Sequence, residues 1–387
     1  MLLTFCTWGC FVNQSDTLND VGEGPGDEEP LRSSHTSSFP DVLNQLGVSL
    51  AVTTYQAGHL VLLRADGDLL NTHFRRFPRP MGIAARGGRL AVGTELEIAE
   101  FHNMPAVAPR LEPRGKHDAC FMPRTVHSTG DIGIHEMAWV GDQLWFVNTE
   151  FSCLCTRSTK YSFVPRWRPR FVTALAPEDR CHLNGLGVSD GRVRYVTALG
   201  ETDSPGGWRG NKRDGGLLID IEGNAVVADH LSMPHSPRCH EGSVWILESG
   251  TGSIGVVDVE SGRYEKRAEF PGFTRGLAFC GQLAFVGLSK VRESAIFSGF
   301  PLVERLEERV CGVWVVDIRD GHTVAWVKFE GDVHEIFGID VLPDMRFPEL
   351  ITDNREILAS SYMIPDEALA DVPENMRSTG GDNGRSN

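Results

Sequence analysis

The chain has 387 residues, 41% of them hydrophobic and 23% charged, enough apolar material for one large core or two medium ones. Its formal charge of −15, with no run of Lys or Arg, opposes a polyphosphate partner and sets nucleic acid aside. Nine cysteines without paired C-x2-C units read as buried or half-buried thiols of a reducing compartment, not as a zinc ribbon.

In chain order, the first twelve residues, MLLTFCTWGCFV, are apolar but lack a basic start and are too short to span a bilayer. No later run reaches the length of a transmembrane helix. The expectation is a cytoplasmic protein with no membrane partner; a weak targeting signal in the first twelve residues is the alternative. Residues 13–40 are polar, acidic and rich in Gly, Pro and Ser, which predicts a disordered leader over residues 1–44. The tail has the same character from about Asp366 and ends RSTGGDNGRSN, which predicts disorder over 366–387.

Between 45 and 365, short runs of Val, Leu, Phe, Trp and Thr alternate with turns such as ARGGR, VGDQ, SDGR and CGQ. Five strand–turn–strand units repeat, each anchored on an apolar residue that opens the second strand: Leu90, Leu144, Val193, Val244 and Leu283. A sixth first strand, in HEIFGIDVLP, has no partners downstream. Three strands in residues 48–76 lack a first strand upstream. The two ends complete one unit. The prediction is all-β, a single six-bladed β-propeller over 45–365, closed by N-terminal strands pairing with a C-terminal strand. A pair of β-sandwiches explains the alternation but leaves those ends orphaned.

The first strand of each blade lines the channel. Nine residues before each anchor stand Met81, His135, Asn184, His235 and Thr274; matching HEIFGIDV to HEMAWVGD adds His334. Three histidines in alternate blades suit one divalent transition metal, Zn, Cu or Fe, with His135, His235 and His334 as ligands and an open position. The alternative is channel histidines that bond water and backbone. Glu136 and Glu335 follow two of these histidines directly and either orient an imidazole, act as a base, or are loop charges. His182 lies two residues before Asn184 as a further catalytic candidate. Arg238 and Arg275 either hold an anionic group of a substrate or pair with the abundant acids. The loop SPGGWRGNKRDGG, residues 204–216, places Trp208, Arg209 and Lys212 among glycines, either as a cap on the channel mouth or as a solvated turn. His240 falls at a turn facing solvent. Two functions fit: a metal-dependent lyase, hydrolase or oxygenase acting on a small molecule or peptide tail, or a non-catalytic propeller that binds a ligand or partner protein.

The segments LSMPHSPRCHEGSVWILESGTGSIGVVD and GGWRGNKRDGGLLIDIEGNAVV, with GIHEMAW, CHLNGLGV and FTRGLAF, resemble a bacterial family known as domain of unknown function 4915. The likeness covers about 45–365 and implies no activity. The predicted fold is also similar to six-bladed lactonases and to the peptide-amidating lyase, which carries channel histidines on zinc. That likeness is one of fold, which does not transfer function.

Overall fold

The computed structural model describes residues 31–290 and 299–377. The described strands form six sheets arranged as propeller blades, each with its first strand innermost. Blade 1 runs outward as Ile83–Arg86, Arg89–Gly93, Glu97–Asn103 and Ala119–Ser128. Blades 2 to 5 begin at the channel with Met137–Val140, Leu183–Ser189, Pro234–His240 and Phe273–Cys280. These inner strands touch one another around the ring.

Blade 6 closes the circle. Its inner strand Gly338–Pro343 pairs antiparallel with Val48–Thr53 in unbroken register, from Val48 opposite Pro343 to Thr53 opposite Gly338. His59–Asp66 and Leu69–Arg76 complete it. The ring therefore joins residues nearly the whole domain apart in sequence, as the orphaned ends predict.

Both termini add strands that the sequence pattern does not announce. Ser33–His35 pairs with Thr323–Phe329 as a fifth strand of blade 5, and Pro348–Leu350 adds in parallel to Ala119–Ser128 of blade 1. Residues 33–44 are thus ordered, contrary to the leader expected over 1–44; residues 1–30 lie outside the described residues. The reason is local. Helix Ser38–Leu46 buries Phe39, Val42 and Leu43 among Leu50, Val313, Val327 and Phe329, so it seals the seam between blades 5 and 6. Its four buried positions, Phe39, Pro40, Val42 and Leu43, are diluted by Ser, Asn, Gln and Asp, so the composition reads as polar. In the tail, short helical turns occupy Asp366–Leu369 and Glu374–Met376, so the described part of 366–387 carries local structure; residues 378–387 lie outside the description.

Backbones come close where inner strands converge. A Cβ on Gly185 would stand 2.2 Å from Thr197 Oγ1 and 2.4 Å from Pro237 Cδ, so only glycine lets blades 3 and 4 meet there. The Phe39→Ala variant should lose about 3–5 kcal/mol of unfolding free energy by urea titration, because a fully buried ring leaves a cavity at the closing seam. A loss within about 0.5 kcal/mol, the ordinary range for a surface substitution, would place this helix outside the cooperative fold.

Candidate functional site

The head of the channel, where the inner strands start, gathers His135, His182, His235, Arg275 and Phe337. His135 and His182 meet edge to face with ring centroids 4.8 Å apart. His135 also meets Phe337 at 5.1 Å, and the Arg275 guanidinium lies 3.3 Å from the centroid of that same Phe337 ring. Tyr55 packs against Phe337 from the rim at 5.5 Å.

Hydrogen bonds set the state of each imidazole. The Thr149 hydroxyl donates to the Leu183 carbonyl at 2.7 Å, so it accepts from His135 Nδ1 at 2.8 Å; the Gly133 carbonyl accepts from the same nitrogen at 3.1 Å. His135 therefore carries its proton on Nδ1 and presents the Nε2 lone pair. His235 Nδ1 donates to the Met233 carbonyl at 2.9 Å, and Asn184 Nδ2 donates to its Nε2 over a long 3.4 Å. The Thr197 hydroxyl donates to Asn184 Oδ1 at 2.6 Å and fixes that amide's orientation. Burial holds both His135 and His235 well below the usual imidazole range; the positive field of Arg275 adds to it for both, behind that of His182 at His135. Both are neutral at pH 7.

His182 differs. Its Nδ1 faces both oxygens of Asp179, at 3.0 and 3.1 Å. Asp179, only 7% exposed, also accepts from the indole N–H of Trp208 at 2.8 Å and from Arg209 at 3.2 Å. The Trp208 ring lies against the His182 imidazole at 4.4 Å. Trp208 belongs to the 204–216 loop, which forms a turn of 3-10 helix, Gly207–Asn211. That loop does not stand free in solvent. Trp208 is 7% exposed and packs with Leu199, Met233, Phe273 and Phe300, while Arg213 reaches Glu304 at 3.0 Å. Lys212 ends the turn, half-buried.

Two sequence-derived slots shift. In blade 5 the strand-ending pair is Cys280 opposite Leu283, whereas Val244 of blade 4 sits opposite Cys239, one residue before the strand's last member His240. Leu283 is thus one position early as an anchor, and Arg275, not Thr274, enters the channel. Thr274 is fully buried and donates to the Ser253 carbonyl. In blade 6 the inner strand starts at Gly338, farther past His334 than Met137 lies past His135. The HE match is therefore out of register. Phe337 takes the place beside His135, and the His334 carbonyl accepts from the Lys290 amide.

The proposed ligand trio consequently does not converge. Among the described residues no group of three or more His, Cys, Asp or Glu is arranged to hold a metal ion. A guanidinium beside the same two histidines also disfavours a divalent cation electrostatically. The residues present do not fit a three-histidine metal centre.

The other candidates fall into ion pairs. Arg238 of blade 4 pairs with Glu136 of blade 2 across the channel, below the histidines. Arg275 pairs with Glu335 at 3.2 Å, where burial raises the carboxyl against the opposing pull of the arginine. His240 packs flat on Phe279 at 4.2 Å and reaches the Gly281 carbonyl, so it ties blade 4 to blade 5 instead of facing solvent alone. Asp179, Phe337 and Tyr55 are absent from the sequence candidates. Only Asp179 carried a signal, its i, i+3 spacing to His182.

The neutral histidines make stability pH-dependent. In the unfolded chain each imidazole takes up a proton near pH 6.5; in the folded channel it does so only at lower pH. The unfolded state binds more protons in between. Stability should therefore fall as the pH drops below about 6.5, by up to about 1.4 kcal/mol per pH unit for each histidine. Asp340, pushed up to about 6 by burial, contributes in the opposite direction, so the measurement is a difference. Chemical denaturation of wild type and His135→Gln below about pH 6.5 should show a flatter loss in the variant; parallel curves would contradict a neutral His135.

No helix of the described residues is long and apolar enough to cross a membrane. No curated protein matches the chain. Among solved structures it is similar to a chain of a nidogen/laminin complex, at 10% identity and a TM-score of 0.50, over 77% of this chain and 99% of that one. It is similar to a protein of unknown function from Bacteroides caccae at 9% identity and a TM-score of 0.50, over 76% of this chain and 98% of that one. At such identities the likeness concerns the fold alone. The model of a family described as domain of unknown function 4915 matches residues 37–351, the whole ring from the sealing helix to the last strand on blade 1, and the chain belongs to that family.

Proposed function

We propose that the channel head binds a small anionic molecule that also carries hydroxyl or amine hydrogens, and that His182 serves there as a general base. The observation that carries this reading is Arg275, a guanidinium seated over Phe337 beside two neutral imidazoles. Arginine offers five N–H donors in a planar fork, and Glu335 takes one of them at 3.2 Å. A carboxylate of the ligand fits the remaining fork. The Nε2 lone pairs of His135 and His235 suit the ligand's hydroxyl or amine hydrogens.

His182 is supported for the proton-transfer role by Asp179, which holds the proton on Nδ1 and leaves Nε2 basic, as in other carboxylate–histidine pairs. A cytoplasmic setting belongs to this reading. The seven described cysteines are free, and Cys153 and Cys155 stand 3.5 Å apart at sulfur without a bond.

The test is thermal-shift and calorimetric titration with glycolate, L-lactate and D-gluconate. At least one should stabilise the wild type. The Arg275→Ala variant, checked for folding by circular dichroism, should bind it at least about tenfold more weakly, because a charge-assisted pair is lost. Arg275→Lys should recover part of the affinity, and His182→Gln should still bind. Equal binding by Arg275→Ala, or no binding of any probe, would overturn the reading. So would elemental analysis of tag-free protein that found about one equivalent of Zn, Cu or Fe, lost in a folded His235→Ala variant, in line with a metal centre.

A further inference from the structure

We infer that the opposite mouth of the channel is a second binding chamber, selective for a small primary amine with a narrow apolar body. A cavity of about 310 Å³ opens there, and all six blades contribute to its wall. That volume lies within the range of small-molecule sites. The residues of the channel head are not part of its lining. The Glu136–Arg238 pair, spanning blades 2 and 4, stands between the two.

The wall is mixed: small apolar side chains alternate with the polar groups of Arg86, Arg238, His240 and Asp340. Ala85, Ala138, Val188 and Phe279 line it and each keep part of their surface open. The polar group that defines the chamber is Asp340, on the inner strand of blade 6. Its Oδ2 accepts the Ala85 amide at 2.6 Å and its Oδ1 the Val341 amide at 2.9 Å, so each oxygen keeps a lone pair. Among the described residues Asp340 makes no direct ion pair, although the positive field of Arg238 reaches it and opposes the effect of burial on its carboxyl. Arg238 also lines the cavity, but its guanidinium pairs with Glu136 and donates to the Leu186 and Pro237 carbonyls at 3.3 and 3.0 Å. Arg86 donates to the Trp139 carbonyl at 3.1 Å and lies exposed at the rim.

A half-buried carboxylate with open lone pairs, beside arginines already bonded to Glu136 and to backbone carbonyls, calls for a further cationic donor. An ammonium supplies three N–H groups, and an alkyl body fills the space against Val188 and Phe279. The chamber and its ligand class are independent of what the channel head binds.

The experiment is isothermal titration of the full-length protein at pH 7.5 with n-butylamine, and with n-butanol as its neutral counterpart. Saturable binding of the amine is expected, with the alcohol at least about tenfold weaker. Asp340→Asn should remove that preference. Val188→Phe, which narrows the chamber without touching a charge, should abolish binding of both, and circular dichroism would establish that each variant folds. Arg275→Ala, altered only at the channel head, should bind the amine as the wild type does. The inference fails if the wild type shows no saturable binding below about 10 mM, where contacts would be worth less than about 3 kcal/mol. It also fails if butanol binds as well as the amine, or if folded Asp340→Asn or Val188→Phe binds the amine unchanged.

Discussion

Everything in this molecule depends on one pairing, Val48–Thr53 with Gly338–Pro343. A blade is a small twisted sheet that hides little apolar surface by itself. It is stable only when both of its faces are covered by neighbours. In an open row the first and last blades would each leave one face wet. The closing ladder removes both exposed faces in one step, and it does so between segments separated by almost the entire domain. Loop-closure entropy grows only slowly with length, so the reward for covering two faces exceeds the cost of the long closure. The helix Ser38–Leu46 drives Phe39, Val42 and Leu43 into the seam beside this ladder, and the added strands at 33–35 and 348–350 fasten the two termini to blades 5 and 1. The weakest topological point carries the most reinforcement.

Closure also creates the channel, and the channel decides the chemistry of the side chains within it. A histidine on an open sheet would be solvated and would titrate near pH 6.5. At the head of this ring His135 and His235 are held neutral by burial, and backbone carbonyls fix the protons on Nδ1. The arginines are handled differently. A guanidinium does not discharge, so each one that enters the ring brings a carboxylate from another blade: Glu136 for Arg238 and Glu335 for Arg275. These pairs are cross-braces between blades as much as binding groups, and they explain why acids adjacent to the histidines in sequence do not act on those histidines in space.

The blade count and the closure were legible because turns are punctuated locally. Gly-containing turns and apolar anchors repeat wherever a hairpin does, and orphaned ends can be counted. Side-chain placement was less legible. A one-residue difference in where a hairpin turns moved Thr274 out of the channel and Arg275 in, because neighbours on a strand face opposite sides. Blade 6 has no hairpin at its inner strand, so nothing in its sequence set the register; the HE match put His334 where Phe337 stands. The contact of His182 with Asp179 comes from a loop with both residues at positive φ, a geometry that strand periodicity does not describe. The ordered helix at 38–46 was hidden by its polar neighbours.

The contrast between His334 and Phe337 has a consequence beyond register. With an imidazole in that slot, three nitrogen donors would face one another and the head would be built for a cation. With a phenyl ring there, the slot donates no lone pair. It offers instead a π-face, and the face is covered by the Arg275 guanidinium at 3.3 Å. The positive charge that a metal would have supplied is thus already part of the protein, fixed in place and backed by an aromatic ring. In the proposed function, neutral imidazoles next to a fixed cation favour a negatively charged ligand. Glu335, reached by Arg275 at 3.2 Å and itself raised by burial, is the group that an incoming anion would have to displace or share. On the proposed function, the affinity of the head for an anion would therefore be set less by Arg275 alone than by how readily Glu335 gives way.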